Sequence, residues 1–246
     1  MCASRGRDAP IPLSGRHFVR CPHGLRLHTA VHDPSRDQLV DLCERVLGSH
    51  RVLAERPASR EIQDFMLRFP ALGHRPDLVL VDLDGPGTYT LIDVKVFDPA
   101  GPGWITQHHT DTTRLAAHRW HQRHWPRVYF PTTGGVAPPR LRLVTFCIST
   151  FGSFGPDALS LLRTLSRRCG SSVPPSLIEE ASWATPAFAP FARQALALTV
   201  RRSLASRLRD GGVSPVEAQA RLAASPRDPP QDPLRVFDAP ELDSAD

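Results

Sequence analysis

Pro76-Asp77 is followed, sixteen positions after that aspartate, by Asp93-Val94-Lys95. Side chains alternate between faces along an extended strand, so Asp93 and Lys95 point the same way. Tyr89 and Leu91 share their face, while Thr90, Ile92, Val94 and Val96 give the other an apolar or hydroxyl surface fit for burial. Two charges on a strand otherwise made for burial need partners. Asp77-Leu-Val-Leu-Val-Asp82 reads as the preceding strand, apolar on both faces as a central strand is. Asp84-Gly-Pro-Gly87 reads as the turn that folds it back antiparallel. If Asp82 pairs with Thr88, Asp77 stands directly opposite Asp93, with Cβ atoms about 4.5–5.5 Å apart. A register one residue different turns Asp77 to the wrong face. The chemistry depends on that one assumption.

Granted the register, two carboxylates and one ammonium converge. Carboxylates that close repel unless a cation lies between them, and oxygen donors with open positions suit Mg²⁺, or Mn²⁺ in its place. Such an ion polarises a phosphodiester oxygen and lowers the pKa of a bound water. A neighbouring lysine orients that water or offsets charge on the phosphorus. The pattern Pro76-Asp77, then Asp93-Val94-Lys95, resembles the PD-(D/E)XK nuclease superfamily. The resemblance covers roughly residues 33–150, where helix, strand, hairpin, helix and strand follow in the family's order. It implies a restriction-endonuclease-like α/β core that hydrolyses DNA, with Asp77 and Asp93 as metal ligands and Lys95 serving the attacking water. Many members add a glutamate on the first helix, for which Glu44 is the nearest match and Glu55, on the first strand, the rival. The strand, glycine turn and helix of Thr145–Leu162 are similar to the segment that closes nuclease regions in retroelement-derived proteins. No reverse-transcriptase, helicase or ATP-binding motif accompanies them.

The short pattern is not specific by itself. Pro156-Asp157 is a second Pro-Asp with no acid-x-Lys behind it. The position of Lys95 carries more weight: of 30 Lys and Arg residues it is the single lysine. Arginine, the cation everywhere else, stays charged and is a poorer acid or base. The bland reading is a surface Asp–Lys pair on an edge strand, with Asp77 a polar residue at a strand start; a separate alternative is a nuclease-like module that binds nucleic acid without cutting.

The elements that must position these residues follow from periodicity. The fold class is α/β, a mixed central sheet flanked by helices, with further helices toward the C-terminus. Asp33-Pro34 reads as an N-cap with proline at the first helical position, opening a helix up to Gly48. Residues 51–56 read as a short strand, 107–125 as a helix, 141–149 as a strand and 156–168 as a helix opened by Pro156. A long helix over 188–209 and a shorter one over 215–224 complete the set. The domain expectation is a 1–32 leader, a 33–170 nuclease-like core, C-terminal helices over 171–225 and an acidic disordered tail over 226–246.

The helix over 107–125 is dense in His and Arg. His109, Arg114, Arg119 and Arg123 on it, with Arg75 ahead of the motif, are the candidate phosphate contacts, and Trp120 and Trp125 are placed to pack or stack. The alternative is a solvated helix face with core tryptophans. Cys21-Pro-His23, with His28 and His32, has ligand types that suit Zn²⁺, similar to a degenerate Cys/His knuckle, but position 24 is Gly and ordinary surface histidines are the better reading.

The whole chain of 246 residues is 41% hydrophobic and 22% charged, enough for a substantial core and too apolar for a wholly disordered protein. Its net charge of +5 agrees with an anionic partner, here DNA. Five widely spaced cysteines without Cys-x-x-Cys indicate a reducing compartment. The N-terminus lacks a signal-type apolar stretch, and the longest apolar run, near Ala187–Val200, is broken by Pro190, Arg193 and Gln194. The expectation is therefore an intracellular protein, nuclear or cytoplasmic and not secreted. It has no membrane partner, and a homodimer is left open.

Overall fold

Strand β3 (Tyr89–Phe97) decides the architecture, because it has a neighbour on each side. The computed structural model describes residues 25–55, 60–97, 113–170, 172–174 and 187–211; within these, the side chains of 25–28, 113–118, 120, 121 and 207–211 are left aside. Four strands form one sheet in the order β1 (Val52–Ala54), β2 (Leu78–Val81), β3 and β4 (Leu141–Ser149). β1, β2 and β3 run antiparallel in turn, whereas β3 and β4 pair in parallel. A parallel pair needs a crossover, and helix α3 (Thr113–Tyr129) lies on that connection. The other helices are α1 (Leu25–Leu47), α2 (Glu61–Arg68), α4 (Pro156–Arg168) and α5 (Phe188–Gly211). The result is the expected mixed α/β fold.

Each face of β3 has its own core. Leu91 packs with Val79 of β2 and Leu141 of β4, under Ile62 and Phe65 of α2 and Tyr129 of α3. On the opposite face Thr90, Ile92, Val94 and Val96 are all buried. The apolar stripes of α1 (Leu39, Leu42, Cys43), α4 (Leu161, Leu162, Leu165) and α5 (Ala192, Leu196, Val200) are buried outside the first cluster. β3 is thus an interior strand, and the edge-strand reading of its Asp–Lys pair is excluded.

Several boundaries differ from expectation. α1 starts at Leu25, so Pro34 lies inside the helix rather than at its first position. Proline there has no N–H to give the ladder and its ring crowds the preceding turn, while the Ser35 hydroxyl donates to the Val31 carbonyl at 2.7 Å in the same turn. α2, which periodicity left unassigned, spans only eight residues. α3 continues past Trp125 through Pro126 to Tyr129, and the Phe130 N–H donates to the Pro126 carbonyl at 2.8 Å. β4 and α4 occupy the expected residues, with Pro156 in the first helical turn. The helix expected over 215–224 and the tail expected over 226–246 lie outside the described residues, as do residues 1–24 of the leader expected over 1–32, whose residues 25–32 are instead the first turns of α1.

The chain divides into a unit of Val31–Ser203, which contains the sheet, and a unit of Met1–Ala30 with Leu204–Asp246. Among the described residues no helix is long and apolar enough to cross a membrane. Cys43 and Cys147 are buried free thiols.

Candidate active site

The hairpin register brings the two motif aspartates together. Leu78 pairs with Ile92 and Val81 with Tyr89, and the Asp82 N–H donates to the Thr88 carbonyl at 2.8 Å. Continued by one position, this register sets Asp77 opposite Asp93. The β1–β2 register, continued likewise, sets Glu55 opposite Asp77, and the Glu55 N–H donates to the Asp77 carbonyl at 2.9 Å. Asp93 pairs with Thr145 across the parallel ladder. Glu55, Asp77, Asp93 and Thr145 therefore form one row across all four strands.

Asp77 is held by both backbone and side chain. β2 begins only at Leu78, and beyond its end the Asp77 carboxylate itself accepts the Val94 N–H, at 2.6 Å on Oδ2. His32 Nε2 of α1 lies 3.3 Å from the same oxygen, and its Nδ1 lies 3.1 Å from Asp33 Oδ1. Carboxylates only accept hydrogen bonds, so an imidazole whose two nitrogens both face carboxylate oxygens makes both bonds only in its doubly protonated form. Burial alone would lower the His32 pKa; the bonds and charges of Asp77 and Asp33 outweigh it and raise it above its ordinary 6.5. Burial alone would likewise raise Asp77; His32, the Val94 N–H and Lys95 hold it below the usual carboxylate range.

Asp93 has the opposite balance. It is 1% exposed, and burial, assisted by the Asp77 charge, raises its pKa against the opposing pull of Lys95 and Tyr129. Tyr129 of α3 donates its hydroxyl to Oδ1 at 3.2 Å. Lys95 Nζ lies 2.8 Å from Oδ2. Yet Oδ2 is buried without a well-directed hydrogen bond, so this is a close ion pair in which the carboxylate oxygen keeps unused acceptor capacity. The Lys95 ammonium also sits 3.9 Å from the centroid of the Trp125 ring. α3 can reach the row because Gly73 allows its last turn to approach. A Cβ at position 73 would lie 2.5 Å from the Val128 carbonyl oxygen, and the Gly73 N–H donates to the Tyr129 carbonyl at 3.0 Å.

The other candidates separate. Glu44 stands twelve residues along α1 from His32, about 18 Å of helix rise, so the structure does not bring it to the row. The side chain of α1 that meets Asp77 is His32, read from sequence only as part of a zinc-type spacing or as a surface residue; it is 14% exposed. Cys21 and His23 lie outside the described residues, as does the His28 side chain. Glu55, the rival acid, is in the row, but its Oε1 lies 3.3 Å from Arg75 Nε. Arg75, expected to meet phosphate, is thus engaged by an acid. Arg119 and Arg123 are exposed on α3, whereas His109 and the Arg114 side chain lie outside the description. Tyr129 and Trp125 complete the site from a helix whose sequence drew notice for its cations.

Among the described residues no group of three or more His, Cys, Asp or Glu side chains is arranged to hold a metal. Mg²⁺, however, is commonly held by one or two carboxylates together with substrate phosphate oxygens and water. Two facing carboxylates, one with a buried, under-bonded oxygen, fit that lesser demand. Comparison with family models, curated proteins and solved structures finds no match to this chain.

Proposed function

We propose that this chain is a divalent-metal-dependent nuclease that hydrolyses DNA phosphodiester bonds, of the PD-(D/E)XK kind and derived from a mobile element. The observation that carries the reading is the meeting of Asp77, Asp93 and Lys95, the chain's single lysine, at one end of an interior hairpin. Asp77 and Asp93 would hold the ion, Mg²⁺ or Mn²⁺, with Glu55 nearby as a further oxygen donor. When bound, that ion supplies Lewis-acid polarisation of a phosphodiester oxygen and an acidified water.

The chain's own residues do the rest. The Val94 N–H and His32 fix the Asp77 carboxylate, and the Tyr129 hydroxyl fixes Asp93. Lys95, already at the row, offsets negative charge developing on the phosphoryl group. Arg119 and Arg123, exposed on α3, supply phosphate contacts away from the reacting bond. The reading carries with it an intracellular place, nuclear or cytoplasmic, and a homodimer as the assembly to look for.

One observation favours a second reading, a module that binds nucleic acid without cutting it. Each acid of the pair already faces a protein cation, Lys95 for Asp93 and His32 for Asp77. Plasmid hydrolysis separates the two readings. With Mg²⁺ or Mn²⁺ the wild type should nick supercoiled DNA, and chelator or the Asp93→Ala, Lys95→Ala double variant should abolish it. Nicking that survives the double variant ends the nuclease reading. Salt-sensitive binding without cleavage, indifferent to chelator and to Asp77→Asn, establishes the second.

A further inference from the structure

Lys95 is held from two sides, and only one is an acid. Its Nζ lies 2.8 Å from Asp93 Oδ2 and 3.9 Å from the Trp125 ring centroid. Trp125 and Tyr129 are four residues apart on α3 and so share a helix face. One meets Lys95 and the other meets Asp93, through the hydroxyl at 3.2 Å. Trp125 is itself braced: the His74 ring lies 5.2 Å away and the Tyr129 ring 6.2 Å away. His74 belongs to the loop that leads into Asp77, and it also meets Tyr129 edge-on at 5.1 Å. The same turn of α3 thus touches the lysine, one acid and the loop of the other.

A lysine side chain has four rotatable carbon–carbon bonds, and an ion pair with a buried oxygen lacking directional hydrogen bonding does not fix its path. An aromatic face above the ammonium adds an attraction and a wall. From this geometry we infer that Trp125 is a positioning residue, an indole clamp that holds the Lys95 ammonium against Asp93 where a phosphoryl group would meet it. The inference rests on the nuclease reading for its catalytic consequence but not for the clamp itself. It assigns the cation-rich helix a second duty: its exposed side carries arginines, and its inner side orders the site.

The single lysine makes the test direct. The full-length protein, labelled with ¹³C-lysine, gives the side-chain resonances of one lysine only. In the folded wild type the Lys95 Hε protons should lie upfield of their position in the urea-unfolded chain, through the indole ring current. Trp125→Leu should return them to that position, and Trp125→Phe should keep part of the shift. In plasmid kinetics Trp125→Leu should lower kcat about tenfold with KM for DNA unchanged, and Trp125→Phe should restore part of the loss. Wild-type Hε protons at the unfolded position, or a shift unmoved in folded Trp125→Leu, overturn the clamp. Should Trp125→Leu fail to fold by circular dichroism, the wild-type and Trp125→Phe spectra decide. A ring-current shift in a wild type that cleaves no DNA leaves the clamp standing and removes the nuclease reading alone.

Discussion

Two neighbouring rows on one face of the sheet differ in kind. Leu53, Val79, Leu91 and Leu143 form one row; Glu55, Asp77, Asp93 and Thr145 form the next, two residues along every strand. The backbone is the same, yet the first row is core and the second carries three carboxylates. The apolar row is held by burial alone, under Ile62 and Phe65. The acid row is tolerated through named partners: His32 and the Val94 N–H on Asp77, Tyr129 and Lys95 on Asp93, Arg75 on Glu55. A sheet can place charge as accurately as it places leucine, provided that each charge is met from outside its strand.

The comparison breaks most visibly at Leu91. Leu91→Ala should lower unfolding free energy by about 2–5 kcal/mol, measured by urea titration, because it opens a cavity in a fully buried cluster. A loss below about 1 kcal/mol would mean that this row is not part of the core.

The next effect is smaller and depends on pH. His32 has a raised pKa in the fold, so its stabilising contact with Asp77 is fully present below 6.5 and is lost as pH rises through the folded value. Asp77 has a lowered pKa, so its share is present above 3.8 and is lost as pH falls through its own folded value. His32→Gln should therefore lose about 1.5–3 kcal/mol relative to wild type between those limits, the worth of a hydrogen bond to a charged group. Thermal melts across pH should show the two proteins converging on the alkaline side. A gap that stays constant with pH would assign His32 a packing role only.

How much of this was legible depends on how local the signal is. The alternation of β3, the turn at Asp84–Gly87 and the Pro156 helix start are written within a few residues, and each stands in the expected place. The register became readable because the turn bonds Asp82 to Thr88, after which counting suffices. What was missed lies far along the chain or speaks an ambiguous language. Tyr129 reaches Asp93 from 36 positions away, and His32 reaches Asp77 from 45. Proline lacks an N–H whether it starts a helix or sits inside one, so Asp33-Pro34 resembled a start. α2 is too short for periodicity to stand out, although Ile62, Phe65 and Met66 lie at helical spacing. Glu44 fits the helix expected for an acid, but only the packing of α1 shows that its contact with the row is made by His32.

The central claim is that the acid row exists for chemistry rather than for folding, and Asp93→Asn tests it most directly. The Asp93 pKa is raised in the fold, so its ionised form weakens stability once pH passes above the ordinary 3.8. Measured together on the same preparation at pH 7, the variant should melt no lower than wild type and lose metal-dependent plasmid nicking by about a hundredfold or more. A variant that melts well below wild type and still nicks DNA at an undiminished rate would contradict the account.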